Sequence, residues 1–256
     1  MELKYVEEGH GYPLILLHGF PHNRSLWADQ LTGLSDRCRV IAPDLRGFGE
    51  SPVKAPYSME TYADDVAELM ARLEIECAVI GGLSMGGYVA FEMVRRHPEL
   101  IRALVLADTK AGADNDDTRM KRRALQSLAR AAGATAVADA QITGMVGATT
   151  RKKRPEMVLR IHRMLAAAPV EGIVGALDAM MNRRDSTGLL VEMELPVLIV
   201  VGEEDALTPV KESRAMHAAI AGSTLEIIPG AGHVSNIENP HEFNSAVRNF
   251  LASIGH

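Results

Sequence analysis

The sequence predicts an α/β fold in which a mostly parallel sheet is covered by helices on both faces. Short runs rich in Val, Ile and Leu alternate with segments of helical length, and capping residues mark helix starts. Such alternation is typical of parallel sheets, whose strands are joined by helices. Strands are predicted near residues 2–7, 14–17, 39–42, 77–81, 101–107, 196–201 and 224–228.

Helices are predicted between these strands, near residues 58–73, 85–97, 211–220 and 240–253. Two of their starts carry residues that suit a helix N-terminus. Ser58 is a favoured N-cap, and Pro240 fits the first turn because its missing N–H is not needed there. The ends of all these elements are predicted to within a few residues.

The stretch from residue 111 to residue 190 interrupts the alternation. It has no strand-like run and is rich in Ala, Met and Arg at helical spacings. We therefore expect a helical lid inserted in a core formed by residues 1–110 and 191–256, at an edge of the sheet where loops carry binding function. Its helices are predicted near residues 116–132, 134–146, 153–167 and 170–183.

Composition narrows the class of protein further. Of 256 residues, 47% are hydrophobic and 23% are charged, as in an ordinary globular protein. The net charge of −6 disfavours a nucleic-acid partner, and no apolar run approaches the roughly 20 residues of a membrane span. The N-terminus lacks a secretory pattern, so a cytoplasmic location is expected. Cys38 and Cys77 are too few for a disulfide framework and are expected to be free.

The motif with the clearest chemistry is Gly-Leu-Ser-Met-Gly at residues 82–86. It follows a predicted strand and precedes a predicted helix, which is the context of an exposed nucleophilic serine on a sharp turn. The glycines allow the backbone to bend closely beneath Ser84, and the helix N-terminus favours negative charge nearby. The alternative is that Ser84 only caps the helix.

A serine nucleophile needs a base and an acid that orients the base. His233 lies on a glycine-bounded loop after the last predicted strand, and Asp205 lies on the loop after the preceding strand. The chain order Ser, Asp, His with each residue after a strand favours Asp205 as the acid. Glu203 and Glu204 compete with it by chemistry, and Asp108 competes by position.

Two backbone donors are expected to stabilise charge on a tetrahedral oxygen: the N–H groups of Phe20 and Met85. Phe20 follows an early strand, in a loop where His18 is expected to be structural. The remaining histidines have no convergent sequence context and are expected to be ordinary; they are His10, His22, His97, His162, His217, His241 and His256.

Together these segments resemble the α/β-hydrolase superfamily in their order along nearly the whole chain. The matching segments are residues 18–20 for the oxyanion loop, 82–86 for the nucleophile, and 202–209 and 232–233 for the acid and the base. Residues 44–51 resemble a post-strand turn of the family and are expected to be structural. The resemblance implies the α/β-hydrolase fold, with helices on both faces of the sheet and a helical lid.

The resemblance also bears on the reaction. Serine at position 84 argues against the dehalogenase and epoxide-hydrolase branches, which place an aspartate there. Arg24, Ser25 and Trp27 look like the corresponding stretch of small bacterial carboxylesterases and enol-lactonases. The resemblance therefore implies hydrolysis of a carboxylic ester or lactone through an acyl-enzyme on Ser84.

Substrate contacts are less well defined by the sequence. Trp27, Met145 and Met180 are candidate substrate-binding residues, although methionines at helical spacing often pack helix against sheet. The basic run at residues 151–154 is expected to be a solvated helix start, with a site for a substrate carboxylate as the alternative.

The expected partner is a small-molecule ester or lactone, with no nucleic acid and no membrane. No metal cluster, phosphate loop or dinucleotide spacing is present in the sequence, so no cofactor is expected. The sequence allows a homodimer but does not indicate the oligomeric state. A cofactor-free lyase or perhydrolase would share the same residues, and so would a ligand-binding protein on the same fold.

Overall fold

A parallel sheet forms the centre of the computed structural model, which describes residues 1–255 and leaves His256 outside the described residues. Within this range seven strands pair in the order β1-β3-β2-β4-β5-β6-β7. Only β1 runs antiparallel to its neighbour. The strands are β1 Tyr5–Glu8, β2 Pro13–Leu17, β3 Arg39–Pro43, β4 Ala78–Leu83, β5 Ile101–Ala107, β6 Val197–Gly202 and β7 Thr224–Ile228.

Helices cover both faces of this sheet. They are α1 Ala28–Leu34, α2 Met59–Arg72, α3 Met85–Arg96, α4 Asp116–Met145, α5 Ala148–Lys153, α6 Pro155–Ala166, α7 Val170–Met181, α8 Thr187–Leu190, α9 Val210–Ala219, α10 Ser235–Glu238 and α11 Pro240–Ser253. The predicted core helices correspond to α2, α3, α9 and α11, while the short helices α1 and α10 were not predicted. The predicted fold class is confirmed.

The buried residues divide into two apolar layers, one on each face of the sheet. Because side chains alternate along a strand, Ile15 and Leu17 of β2 enter one layer while Leu14 and Leu16 enter the other. The first layer packs against α2, α3 and α9, and the second packs against α1 and α11. Strands β4 and β6 are buried along their whole length, which explains their unbroken apolar sequences.

Five helices, α4 to α8, lie between β5 and β6, in the stretch where an inserted helical segment is predicted. Helix α4 covers two predicted helices, and the expected break falls at Gly133, which has φ 79°. The predicted helix over 153–167 corresponds to α6, which begins at Pro155 because proline suits the first turn of a helix. The short helices α5 and α8 were not predicted. Helix α4 packs against both α6 and α7.

Within residues 1–255, no single helix combines the length and the apolar character needed to cross a membrane. Taken together, α6 and α7 satisfy both conditions, but they are bent by 91° relative to each other.

Candidate active site

The backbone at Ser84 turns sharply between β4 and α3. Ser84 has φ 54° and ψ −111°, in the region that only glycine adopts readily. Two glycines make the turn possible. A Cβ on Gly82 would lie 2.3 Å from the carbonyl carbon of Gly86, and a Cβ on Gly86 would lie 2.2 Å from the carbonyl oxygen of Leu17. Any side chain at either position would therefore push the backbone apart.

The Ser84 hydroxyl is hydrogen-bonded to His233, which in turn is hydrogen-bonded to Asp205. Ser84 Oγ lies 2.9 Å from His233 Nε2, and His233 Nδ1 lies 2.8 Å from Asp205 Oδ2. Asp205 is held in place by the backbone N–H groups of Leu207 and Thr208, at 2.8 and 3.0 Å, and by the Thr208 hydroxyl at 2.7 Å. The three side chains predicted from separate parts of the sequence thus form one hydrogen-bonded chain.

Electrostatics favour a protonatable imidazole at this position. Burial alone would lower the pKa of His233, but the charge and hydrogen bond of Asp205 outweigh it, so the pKa is raised above the ordinary 6.5. Burial would likewise raise the pKa of Asp205, yet the charge of His233 and the hydrogen bonds it accepts hold it below its ordinary value. Asp205 therefore stays ionised and stabilises the protonated form of His233.

The competing carboxylates have other partners. Asp108 accepts hydrogen bonds from the backbone N–H of Gly202 at 2.8 Å and from the Ser235 hydroxyl at 2.5 Å. Complete burial, with the nearby charge of Asp205, raises its pKa well above the ordinary value. Glu203 accepts from the N–H of Gly230 at 3.0 Å. Each of these contacts joins two loops at the carboxyl ends of the strands.

Glu204, the remaining competitor, contacts the inserted helical segment. Its carboxylate accepts hydrogen bonds from the backbone N–H and the hydroxyl of Thr149, at 2.8 and 2.5 Å. These bonds, more than any other contact, lower the pKa of Glu204. The structure thus brings Asp205, and neither neighbouring glutamate, to His233.

The loop after β2 is fixed by His18. The Nε2 atom of His18 accepts a hydrogen bond from the N–H of Leu45 at 2.9 Å, so Nδ1 carries the proton and donates to the carbonyl of Gly19, also at 2.9 Å. Burial lowers the pKa of His18, which keeps this neutral form. The two hydrogen bonds give His18 the structural contacts expected of it and hold the loop that carries Phe20.

His22 is the histidine whose location the sequence did not indicate. It is buried beside His18 and His233, and burial is the main cause that lowers its pKa to about 3. Among the described residues neither of its ring nitrogens has a hydrogen-bond partner. His22 therefore stays neutral. The only feature of the sequence that could have indicated its location is its closeness to His18.

A cavity of about 300 Å³ opens at Ser84. We call it the Ser84 cavity. Ser84 and His233 lie in its wall, and the apolar part of the wall includes Phe20, Leu125, Met145, Leu177, Met180 and Leu207. The candidate residues Met145 and Met180 thus lie where substrate contacts are expected.

The structure corrects the expectation that Trp27 binds substrate. Its side chain is only 1% exposed and packs against Phe243, with ring centroids 6.0 Å apart, in the apolar layer beneath α1 and α11. Trp27 is not among the residues that line the Ser84 cavity. In this chain Trp27 therefore packs in the apolar core.

The loop that carries His233 is also bonded to the inserted segment. The N–H of His233 donates to the carbonyl of Met145 at 2.8 Å. The buried carboxylate of Glu238 accepts from the N–H groups of Gly147 and Gly232, both at 2.9 Å. The end of α4 and the loop that carries His233 are consequently held together by residues too distant in sequence for the contact to be predicted.

Within residues 1–255, no group of three or more His, Cys, Asp or Glu side chains is arranged to hold a metal ion. Cys38 and Cys77 are both free.

With this geometry in place, comparison with known proteins identifies the family. The model of the alpha/beta hydrolase fold family matches residues 12–240, nearly the whole chain. The chain belongs to this family, and the resemblance seen in its motifs is confirmed.

Several relatives are similar along almost their whole length. A thermophilic esterase from Thermogutta terrifontis, solved with malate bound, is 38% identical with a TM-score of 0.96, covering 99% of this chain and 94% of its own. The enol-lactonase from Burkholderia xenovorans is 29% identical with a TM-score of 0.90, covering 98% and 96%. The 3-oxoadipate enol-lactonase 2 of Acinetobacter baylyi is 30% identical, covering 91% and 86%. The chain is therefore a hydrolase similar to esterases and lactonases.

The close backbone packing at Gly86 leads to a prediction about stability. Gly86→Ala is expected to destabilise the protein by about 1–3 kcal/mol, because the added methyl group meets backbone atoms that cannot move independently. Urea unfolding measures this change. Gly188→Ala is the control, since no heavy atom lies within 4 Å of a Cβ there, and a change below about 0.5 kcal/mol is expected. Equal stability of both variants would contradict the packing argument.

Proposed function

We propose that the protein is a serine hydrolase that cleaves a carboxylic ester or a lactone through an acyl-enzyme on Ser84. The observation that supports this most is the hydrogen-bonded chain from Ser84 through His233 to Asp205, at 2.9 and 2.8 Å, in the wall of a 300 Å³ cavity. Helix capping alone does not require a serine to contact a buried histidine–aspartate pair.

In the first step His233 Nε2 takes the proton of the Ser84 hydroxyl while Oγ attacks the substrate carbonyl. The resulting oxyanion is stabilised by the N–H groups of Phe20 and Met85. Among the described residues neither N–H has a hydrogen-bond acceptor, so both are free to donate. His233 then gives its proton to the leaving alkoxide, and the acyl group stays on Ser84.

In the second step water replaces the alcohol. His233 accepts a proton from the water, whose oxygen attacks the acyl carbonyl, and the same two N–H groups hold the new oxyanion. The bond to Ser84 Oγ breaks, and His233 returns the proton to Oγ. In a lactone the alcohol and the acid are parts of one molecule, so the same steps open the ring.

The inserted segment at residues 111–190 serves in this proposal as a lid on the core formed by residues 1–110 and 191–256. Its residues Leu125, Met145, Leu177 and Met180 contribute much of the apolar wall. The named activities of the relatives, esterase and enol-lactonase, agree with either substrate type.

The first prediction of this proposal concerns Ser84 itself. A fluorophosphonate probe is expected to label Ser84, and 4-nitrophenyl acetate or butyrate is expected to be cleaved, because the hydroxyl is activated by His233. Mass spectrometry of the labelled peptide identifies the site, and Ser84→Ala is the control that should lose both. Absence of labelling together with absence of ester cleavage would leave a ligand-binding protein as the better description.

A second prediction separates the two buried aspartates. Asp205→Asn is expected to lower kcat by on the order of 10³-fold to 10⁴-fold, because the amide favours the wrong tautomer of His233. Asp108→Asn is expected to retain most of the activity, because an amide resembles the neutral carboxyl that burial favours at this position. Steady-state kinetics on 4-nitrophenyl butyrate measure both, and the reverse order would identify Asp108 as the acid.

A third prediction concerns pH. Only neutral His233 can accept the Ser84 proton, so the labelling rate is expected to rise with pH through a midpoint above 6.5. In Asp205→Asn the midpoint is expected to fall, since the charge that raises the pKa of His233 is gone. Rates measured between about pH 5 and 9 test this; a wild-type midpoint below 6.5 would contradict the role given to Asp205.

A further inference from the structure

The Ser84 cavity has a cationic part that its hydrolytic chemistry does not require. Lys110, Lys121 and Arg122 line it, and its lining residues include no aspartate or glutamate. The chain as a whole has a net charge of −6. A cavity wall with three positive side chains therefore runs against the charge of the protein, so a general excess of basic residues does not explain it.

Two of these cations belong to one face of α4. Thr118, Lys121, Arg122 and Leu125 all line the cavity, and their spacing of three, four and seven residues places them on the same side of a helix. This face thus presents a hydroxyl, two cations and one apolar side chain to the cavity. Lys110 adds a third cation from the loop after β5.

Arg122 is held in position by buried groups. Its Nε lies 2.5 Å from Oδ2 of Asp114, whose side chain is fully buried. Asp114 also accepts from Arg183 Nη1 at 2.6 Å, and Arg183 lies 4.1 Å above the ring of Tyr88 on α3. The carboxylate of Asp114 therefore pairs with two guanidinium groups, and Asp114, Arg122 and Arg183 together carry one net positive charge.

One N–H group of Arg122 has only a weak acceptor. Arg122 Nη1 contacts the sulfur of Met180 at 3.3 Å, and Met180 also lines the cavity. A thioether is a poor acceptor for a guanidinium, whereas a carboxylate forms short, charge-assisted hydrogen bonds with it. The guanidinium is thus both fixed by Asp114 and incompletely satisfied on the side that faces the cavity.

The basic run at residues 151–154, which the sequence offered as an alternative carboxylate site, is engaged elsewhere. Arg151 donates to the carbonyl of Thr143 at 2.6 Å, and Arg154 donates to the carbonyl of Glu238 at 2.5 Å. Both arginines therefore bind backbone at the ends of helices, and neither is among the residues that line the cavity.

We propose that the Ser84 cavity takes an anionic substrate, an ester or lactone that carries a carboxylate besides the bond to be cleaved, and that Lys110, Lys121 and Arg122 bind this carboxylate. The inference rests on the proposed hydrolase function and names its substrate class. Lys110 and Arg122 are half-buried, so their attraction for the carboxylate is screened less than that of an exposed charge, and Lys121 adds an exposed positive charge beside them.

The kinetic test compares monoethyl glutarate with ethyl pentanoate, which share their acyl chain length and differ by one carboxylate. The ratio of their kcat/KM values is expected to favour monoethyl glutarate by about tenfold in dilute buffer. Added salt is expected to reduce the ratio because it screens the attraction. In Lys110→Gln/Lys121→Gln the ratio is expected to fall about tenfold.

The matched control is Lys152→Gln/Lys153→Gln, which removes the same charge from exposed positions on α5. This variant is expected to keep the wild-type ratio. A wild-type ratio that does not favour the anionic ester, or an equal fall in both double variants, would overturn the proposal.

A binding measurement separates this inference from the hydrolase function. Calorimetry on Ser84→Ala with monoethyl glutarate needs no turnover. Ser84→Ala is expected to bind monoethyl glutarate about tenfold more tightly than the triple variant Ser84→Ala/Lys110→Gln/Lys121→Gln. Equal affinity of the two variants would refute the anion site, even if the wild-type protein cleaves neutral esters. Tighter binding by Ser84→Ala, together with no ester cleavage by the wild-type protein, would refute only the hydrolase function.

Discussion

The strained backbone between β4 and α3 is the constraint on which the rest of the site depends. Ser84 at φ 54° and Asp108 at φ 45° are both non-glycine residues in the left-handed region, at the ends of neighbouring parallel strands. Each such residue costs about 1–3 kcal/mol. The surrounding packing must offset this cost, and the glycines at 82 and 86 allow α3 to approach the sheet closely enough to do so.

Two carboxyl groups, those of Asp108 and Asp205, lie at the same edge of the sheet, and their hydrogen bonds differ. Asp108 and Asp205 both lie near His233, and two adjacent buried carboxylates resist joint ionisation. Asp205 has the imidazole, a hydroxyl and two N–H groups as partners, so it keeps the charge. Asp108 instead bridges Gly202 and Ser235, joining the acid loop to the base loop.

The sequence predicted those residues of the site that lie in short motifs, and it did not predict those whose positions depend on contacts between distant segments. Ser84, Asp205 and His233 each lie in a short motif after a strand, and parallel strands bring their carboxyl ends together, so their meeting follows from the fold. Trp27 also had a local signal, but its burial depends on α11, far along the chain. His22 and the cations of α4 carried no motif, because their positions depend on how helices pack.

The inserted segment contacts both the cationic part of the Ser84 cavity and the loop that carries His233. The N–H of His233 donates to the carbonyl of Met145 at the end of α4, and the opposite end of the same helix region carries Lys121 and Arg122. The dense basic run in the sequence lies at residues 151–154, whereas the cations that line the Ser84 cavity, Lys110 on a loop and Lys121 and Arg122 on α4, are not adjacent as a run in the sequence. In the proposed function, both parts of α4, on either side of the break at Gly133, contribute to one cavity: one part supplies Lys121 and Arg122 to bind the substrate, and the other holds His233 through Met145.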